Sequence, residues 1–353
     1  MSSDTISRKK PFYPVNHLLS KFLKHYGREV KINVAYNELS RYEGGVPLYD
    51  RNGKDTLWLT VFYSQSDVEH LNKALLEIYA LLKTGGEVTE HLSVQRIDFC
   101  TFGNSHPFRI RIVNNYNDNF DYFYIKRADA SRIYGLELEH ILSPNRISYI
   151  VHDDTLVEEH IAGIPGDMFI INNLHDKGLN EIRLAKEFVK FNERCFLRLL
   201  GDMRSYNYVI DITPDFEETH YRIRAIDFDQ QSYEGRKKIY MPQFFKENVK
   251  MVELCMKHLN AETIHQYQLE EQTLMARRIK AAKYMVRDLL EAMSMDQLSE
   301  PEKIDNLKKE LAEHYNNNAF LNCKNMGELV RTSLKEMIRK NSTHFKKMAA
   351  RSF

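Results

Sequence analysis

The sequence predicts an α+β protein built in two regions, a β-rich one followed by a mostly helical one. Three observations carry that reading. At 353 residues the chain exceeds what one hydrophobic core usually fills, so two folded units are expected. Between residues 92 and 129 three β-prone runs, LSVQRIDFCTFGNS, PFRIRIVNNY and FDYFYIKRAD, follow one another across short turns, the pattern of an antiparallel meander. Beyond Gly166 apolar residues recur at helical spacing for most of the remaining length.

Taken in order, VNHLLSKFLKHYG (15–27) has helical spacing and a glycine stop, and REVKINVAY (28–36) alternates like a strand. The run NELSRYEGGVPLYDRNGKD reads as a turn-rich connection, and TLWLTVFY (56–63) as a strand. A helix follows from SQSDVEHL to Gly85–Gly86, with Ser66 and Glu69 as a capping box. Residues 1–90 carry no chemical constellation and are expected to form an accessory α+β unit. The meander, a helix at 130–142 and a hairpin from SYIVHD and TLVEEHIAG make a small lobe over 91–163. A helical region over 164–340 is interrupted near 197–229 by two short β-prone stretches around an acidic loop. A basic amphipathic helix then runs into a tail at 341–353.

Composition narrows the function classes. The 50 basic and 49 acidic side chains leave a net charge of +1, so no global field argues for nucleic acid. Cys100, Cys195, Cys255 and Cys323 are widely spaced, with no CxxC and no clustered His, which argues against zinc and disulfides and fits a reducing, cytoplasmic setting. The start, MSSDTISRKKPFYP, lacks an apolar core and does not read as a signal peptide, and no membrane span is expected. The N-terminal unit and the basic C-terminal helix are the surfaces on which a protein partner would dock.

The chemistry-bearing residues gather around one loop. Asp202 and Asn207 lie on a turn after CFLRLL, YVIDI follows as a strand, and RIRAIDFDQQ is a second strand ending on Asp227. A hairpin would deliver two carboxylates and a carboxamide to one end, a set of hard oxygen ligands suited to Mg²⁺. Upstream, Lys126 closes an apolar strand, and a helix bearing Glu137 and Glu139 follows.

These residues, in this order, resemble the protein-kinase superfamily, and most closely its small-molecule branch of aminoglycoside phosphotransferase and choline kinase-like enzymes. That branch carries a G-D-x4-N loop and often ends the later strand in I-D-F-D, which here are Gly201-Asp202 to Asn207 and Ile226-Asp227-Phe228-Asp229. LVEEHIAG (156–163) is similar to its hinge strand, and the resemblance spans about residues 92–260. It implies a bilobal kinase-like fold and an ATP- and Mg²⁺-dependent transfer of the γ-phosphate to a hydroxyl-bearing substrate, a small molecule before a protein.

By that resemblance, Asp202 orients the acceptor hydroxyl as an ordinary ionised carboxylate, and Asn207 and Asp227 hold Mg²⁺, with Asp229 as an added metal-facing carboxylate. Lys126 meets the α/β-phosphates, fixed by Glu139 or Glu137. The turn Gly103-Asn104-Ser105 faces the phosphates, and the backbone near Glu159 and Ile161 meets adenine. Arg204 is placed to contact a phosphate or an acidic substrate. Leu200 stands where the family usually has His, one glycine stands in the phosphate turn, and no A-P-E follows Asp227. A catalytically silent kinase-like scaffold is the alternative reading, although such relatives usually lose at least one of the four polar residues that this chain keeps.

Overall fold

The computed structural model describes residues 10–50, 52–102, 105–214 and 219–351, the last helix by its backbone alone beyond residue 340. The chain has the α+β layout expected, a β-rich N-terminal region followed by a largely helical one, and it divides into two compact units. The first comprises Met1–Ala130 and Ile147–His160, the second Ser131–Arg146 and Ile161–Phe353.

Within the first unit α1 (His17–His25) starts at Asn16, whose side chain caps the N–H groups of Leu18 and Leu19. Residues 28–36 do not form a strand. Val30, Ile32 and Val34 alternate inward, but the segment makes one bridge, Glu29 to Val151, and then turns into the short helix α2 (Tyr36–Leu39). The run expected to be a plain connection instead holds β1 (Gly44–Tyr49), which pairs antiparallel with β2 (Asp55–Phe62). α3 (Gln65–Lys83) is capped by Ser64, two residues before the expected box. Then follow β3 (Leu92–Cys100), β4 (Phe108–Asn114), β5 (Phe120–Arg127), β6 (Tyr149–His152) and β7 (Thr155–Glu159).

These seven strands make one antiparallel sheet in the order β1-β2-β3-β4-β5-β7-β6. Register places Trp58 opposite Cys100, so β2 continues the sheet directly into β3. Leu71, Leu75 and Ile78 of α3 join Ile97, Ile110, Ile112, Phe123 and Val157 of the sheet in one core. Residues 30–50 and 52–82 therefore share sheet and core with residues 92–159 within one compact unit, rather than forming an accessory one.

The second unit takes α4 (Ala130–Leu142) from its second residue onward, then β8 (Ile164–Pro165), α5 (Gly166–Asn172) and α6 (Glu181–Leu197). β9 (Tyr208–Pro214) and β10 (Thr219–Ala225) form an antiparallel hairpin, with β8 on the outer side of β9. Short 3-10 turns over 237–248 lead to α7 (Val249–His258), α8 (Ala261–Ala281), α9 (Lys283–Ser294), α10 (Pro301–Tyr315) and α11 (Met326–Arg351). α6 buries Leu184, Phe188, Phe191 and Phe196 at the centre of this unit, and its C-terminal end feeds the loop that carries Asp202. α11 seats Met326, Leu329, Val330, Leu334 and Met337 in the core, so its first half is a packing helix. No helix among the described residues is long and apolar enough to cross a membrane.

Candidate functional site

Two loops of the second unit are zipped together by their backbones. The N–H of Gly201 donates to the Gln230 carbonyl at 3.2 Å, Leu200 bridges Gln231, and the N–H of Ser232 donates to the Leu199 carbonyl at 2.8 Å. On the other side the N–H of Ile226 donates to the Asn207 carbonyl at 3.0 Å, and that of Asp202 to the Ile239 carbonyl at 3.1 Å. Asp202, Asn207 and Asp227 are thereby held in one hydrogen-bonded frame at the end of the β9–β10 hairpin. Asp227 lies two residues past the end of β10 rather than on it.

The frame is strained. Leu199 and Asp202 both have positive φ, 56° and 58°, and Leu199 is fully buried. A branched side chain in the left-handed region costs about 1–3 kcal/mol and persists where surrounding structure over-determines it, a condition that gathers at functional loops.

Asp202 is engaged by Arg204, whose Nε donates to Oδ1 at 2.7 Å while Nη1 donates to Glu247 Oε1 at 2.9 Å. Burial pushes the Asp202 carboxyl up to about 6, with the Arg204 hydrogen bond and charge opposing the rise and Asp227 and Glu247 adding to it. Asp202 is thus far less acidic than the ordinary carboxylate expected. Arg204, expected to reach for a substrate, is tied to two carboxylates of the protein itself.

Asn207 is buried, and its Nδ2 donates to the Asp202 carbonyl at 2.7 Å. That bond turns Oδ1 into the acceptor end of the amide. Asp227 receives the N–H of Asp229 on Oδ1 at 3.0 Å, and Arg132 Nη1 donates to the same oxygen at 3.0 Å. The same Nη1 donates to Asp229 Oδ1 at 2.7 Å. Arg132 was not singled out in the sequence. Its signal was a cation in the first turn of a helix, where the dipole disfavours positive charge unless an anion is close.

Among the described residues no group of three or more His, Cys, Asp or Glu side chains is arranged to hold a metal. Asn207 and Asp227 are a smaller, mixed pair of amide and carboxylate side chains, the kind of hard oxygen donor that a divalent cation takes beside water and phosphate. Asp229, expected as an added metal-facing carboxylate, pairs with Arg132 as Asp227 does, and its side chain is 12% exposed against 37% for Asp227.

The remaining expected residues are distributed as follows. Lys126 on β5 is buried, and its Nζ donates to Glu158 Oε2 at 2.8 Å on neighbouring β7. Glu139, one of two glutamates expected to hold that lysine, is bound within the second unit by Arg198. Burial alone would raise the Glu139 carboxyl, but Arg198 and Arg194 outweigh it and hold it low. Glu137 is fully buried on the same helix. Glu158 and Arg198 were missed. An arginine inside the apolar run CFLRLL was the available sign of a buried ion pair.

Glu159 accepts the Ser148 N–H on Oε1 at 2.7 Å, and the chain passes from the first unit to the second between His160 and Ile161, where the hinge was expected. Ser105 is half-buried, whereas Gly103 and Asn104 of the expected phosphate turn lie outside the described residues. A cavity of about 470 Å³ in the helical unit is lined by Glu193, Phe196, Gln272, His314 and Tyr315 among others, and includes none of Asp202, Asn207, Asp227 or Asp229.

No family model and no curated protein matches this chain.

Proposed function

We propose that this protein is an ATP- and Mg²⁺-dependent phosphotransferase that acts on a hydroxyl of a small molecule. The observation that supports it is the strained, doubly laced loop that holds Asp202, Asn207 and Asp227 together. Phosphoryl transfer asks a protein mainly for position and charge, which three fixed oxygen-bearing side chains can supply. Asp202 orients the acceptor hydroxyl and receives its proton. Asn207 Oδ1 and the Asp227 carboxylate would hold the metal, which when bound offsets the charge of the nucleotide phosphates.

The silent-scaffold reading draws on one feature, the pairing of Asp202 with Arg204. Calorimetric titration of ATP in Mg²⁺ and in EDTA, for the wild type and Asp227→Ala, separates the two. On the phosphotransferase reading Mg²⁺ tightens ATP binding to the wild type at least tenfold, and Asp227→Ala erases most of that difference. Equal affinity in both conditions for the wild type, or the same metal effect in both proteins, would sink the assignment.

A further inference from the structure

Protein kinases commonly place two Mg²⁺ ions on the aspartate after the hairpin and the asparagine of the catalytic loop. The second unit of this protein has a fixed cation between Asp227 and Asp229, the two carboxylates of the I-D-F-D stretch. Ser131 Oγ donates to the Gln231 carbonyl at 2.6 Å, pinning the start of α4 to the loop that bears both aspartates. One turn on, a Cβ added at Gly135 would lie 3.0 Å from the Phe228 Cβ and 3.1 Å from the Gln231 Cβ, so the helix backbone lies directly on that loop. Between these two anchors Arg132 is 2% exposed, and its Nη1 sits within hydrogen-bond distance of both Asp227 Oδ1 and Asp229 Oδ1.

Arg132 Nη1 already occupies the space between one oxygen of each carboxylate. Expelling it would strip a buried guanidinium of two ion pairs, a strongly unfavourable step. The same Asp227 oxygen also accepts the Asp229 N–H.

Resting on the phosphotransferase reading above, the geometry points to a centre that takes one divalent ion per nucleotide, on Asn207 and Asp227, with Arg132 as the permanent substitute for a second. Arg132 is a positioning residue in this arrangement: it fixes the Asp227 carboxylate and neutralises Asp229. Asp229 is its counter-ion and holds no metal.

Electron paramagnetic resonance of Mn²⁺ with saturating β,γ-imido ATP and the full chain reads the stoichiometry directly. The expected result is one bound Mn²⁺ per protein. Asp229→Asn keeps that number and changes Mn²⁺ affinity less than about threefold. Arg132→Met, checked for folding by circular dichroism, gains a second and weaker ion. Two ions per wild-type protein, or a tenfold loss of affinity in Asp229→Asn, overturns the single-ion proposal and leaves the phosphotransferase reading standing. Absence of any nucleotide-dependent Mn²⁺ binding overturns both. If Arg132→Met does not fold, the wild-type count and Asp229→Asn decide the matter.

Discussion

Asp202 takes its character from its neighbours. Its carboxyl, pushed to about 6 by burial, is ionised at neutral pH yet basic enough to receive a proton efficiently. If it serves as the proton acceptor, kcat/KM falls as pH drops through about 6, because the protonated acid cannot accept. Arg204 holds that value down, so Arg204→Ala moves the acidic limb of the pH profile upward toward neutrality. A limb that stays in place in the variant would show that another group governs it.

A second carboxyl, Glu193, titrates near neutrality for a different reason. Its burial in α6 pushes it up to about 7, against one hydrogen bond from Gln272, while Glu271 adds to the rise. The folded state therefore binds a proton that the unfolded chain releases above its ordinary range. Stability from this group is complete below about 4.5 and is lost as pH rises through 7. Glu193→Gln keeps the acceptor for Gln272 and removes the penalty. It should stabilise the protein at pH 8, by up to roughly 3 kcal/mol at about 1.4 kcal/mol per unit, with little change at pH 4.5. Chemical denaturation at the two values measures it, and an equal effect at both would refute the cause given.

Elements differ in how plainly the sequence announces them. Phe108, Ile110 and Ile112 of β4 alternate inward with polar-faced neighbours, so that strand could be read from period alone. β1 is GGVPLY, with four of its six residues exposed, and an edge strand without a buried face leaves no such trace. Residues 28–36 mislead in the other direction. Their alternation is real, but a strand also needs a hydrogen-bonding neighbour, which tertiary structure supplies only at Glu29. The carboxylates around residue 202 were legible because hairpin order placed them. The arginines that pair with them were not, since Arg132 lies far away in sequence and its partners depend on how α4 packs.

The crossing of α11 and α9 yields a prediction of its own. A Cβ at Gly327 would come within 2.2 Å of the Met293 carbonyl oxygen and 2.6 Å of the Ser294 nitrogen. Gly→Ala usually stabilises a helix by about 1 kcal/mol. Here the backbones must part, so Gly327→Ala should lower stability by about 1–3 kcal/mol, in the range of overpacked cores. A rise in melting temperature would mean the two helices have room to separate.

For the molecule as a whole, ligand that binds only the folded state must raise its apparent stability. Mg²⁺ and ATP together at 100 times Kd should add about 2.7 kcal/mol to the unit that binds them. Asp202→Asn should keep that thermal shift while turnover falls by about two to four orders of magnitude. Absence of a shift in the wild type at millimolar nucleotide would favour the silent scaffold.

The chain enters the second unit at Ser131, leaves it after Arg146 and returns at Ile161. That path has a consequence for inheritance. A gene fragment ending at residue 160 encodes the whole sheet but also α4, whose close-packed neighbours Phe228 and Gln231 are encoded far downstream. A fragment beginning at 161 lacks Arg132, the partner of Asp227 and Asp229. Neither unit corresponds to one uninterrupted stretch of coding sequence, so a single exchange that moves either one whole carries part of the other with it, and an exchange between residues 132 and 202 parts the carboxylate loop from its arginine.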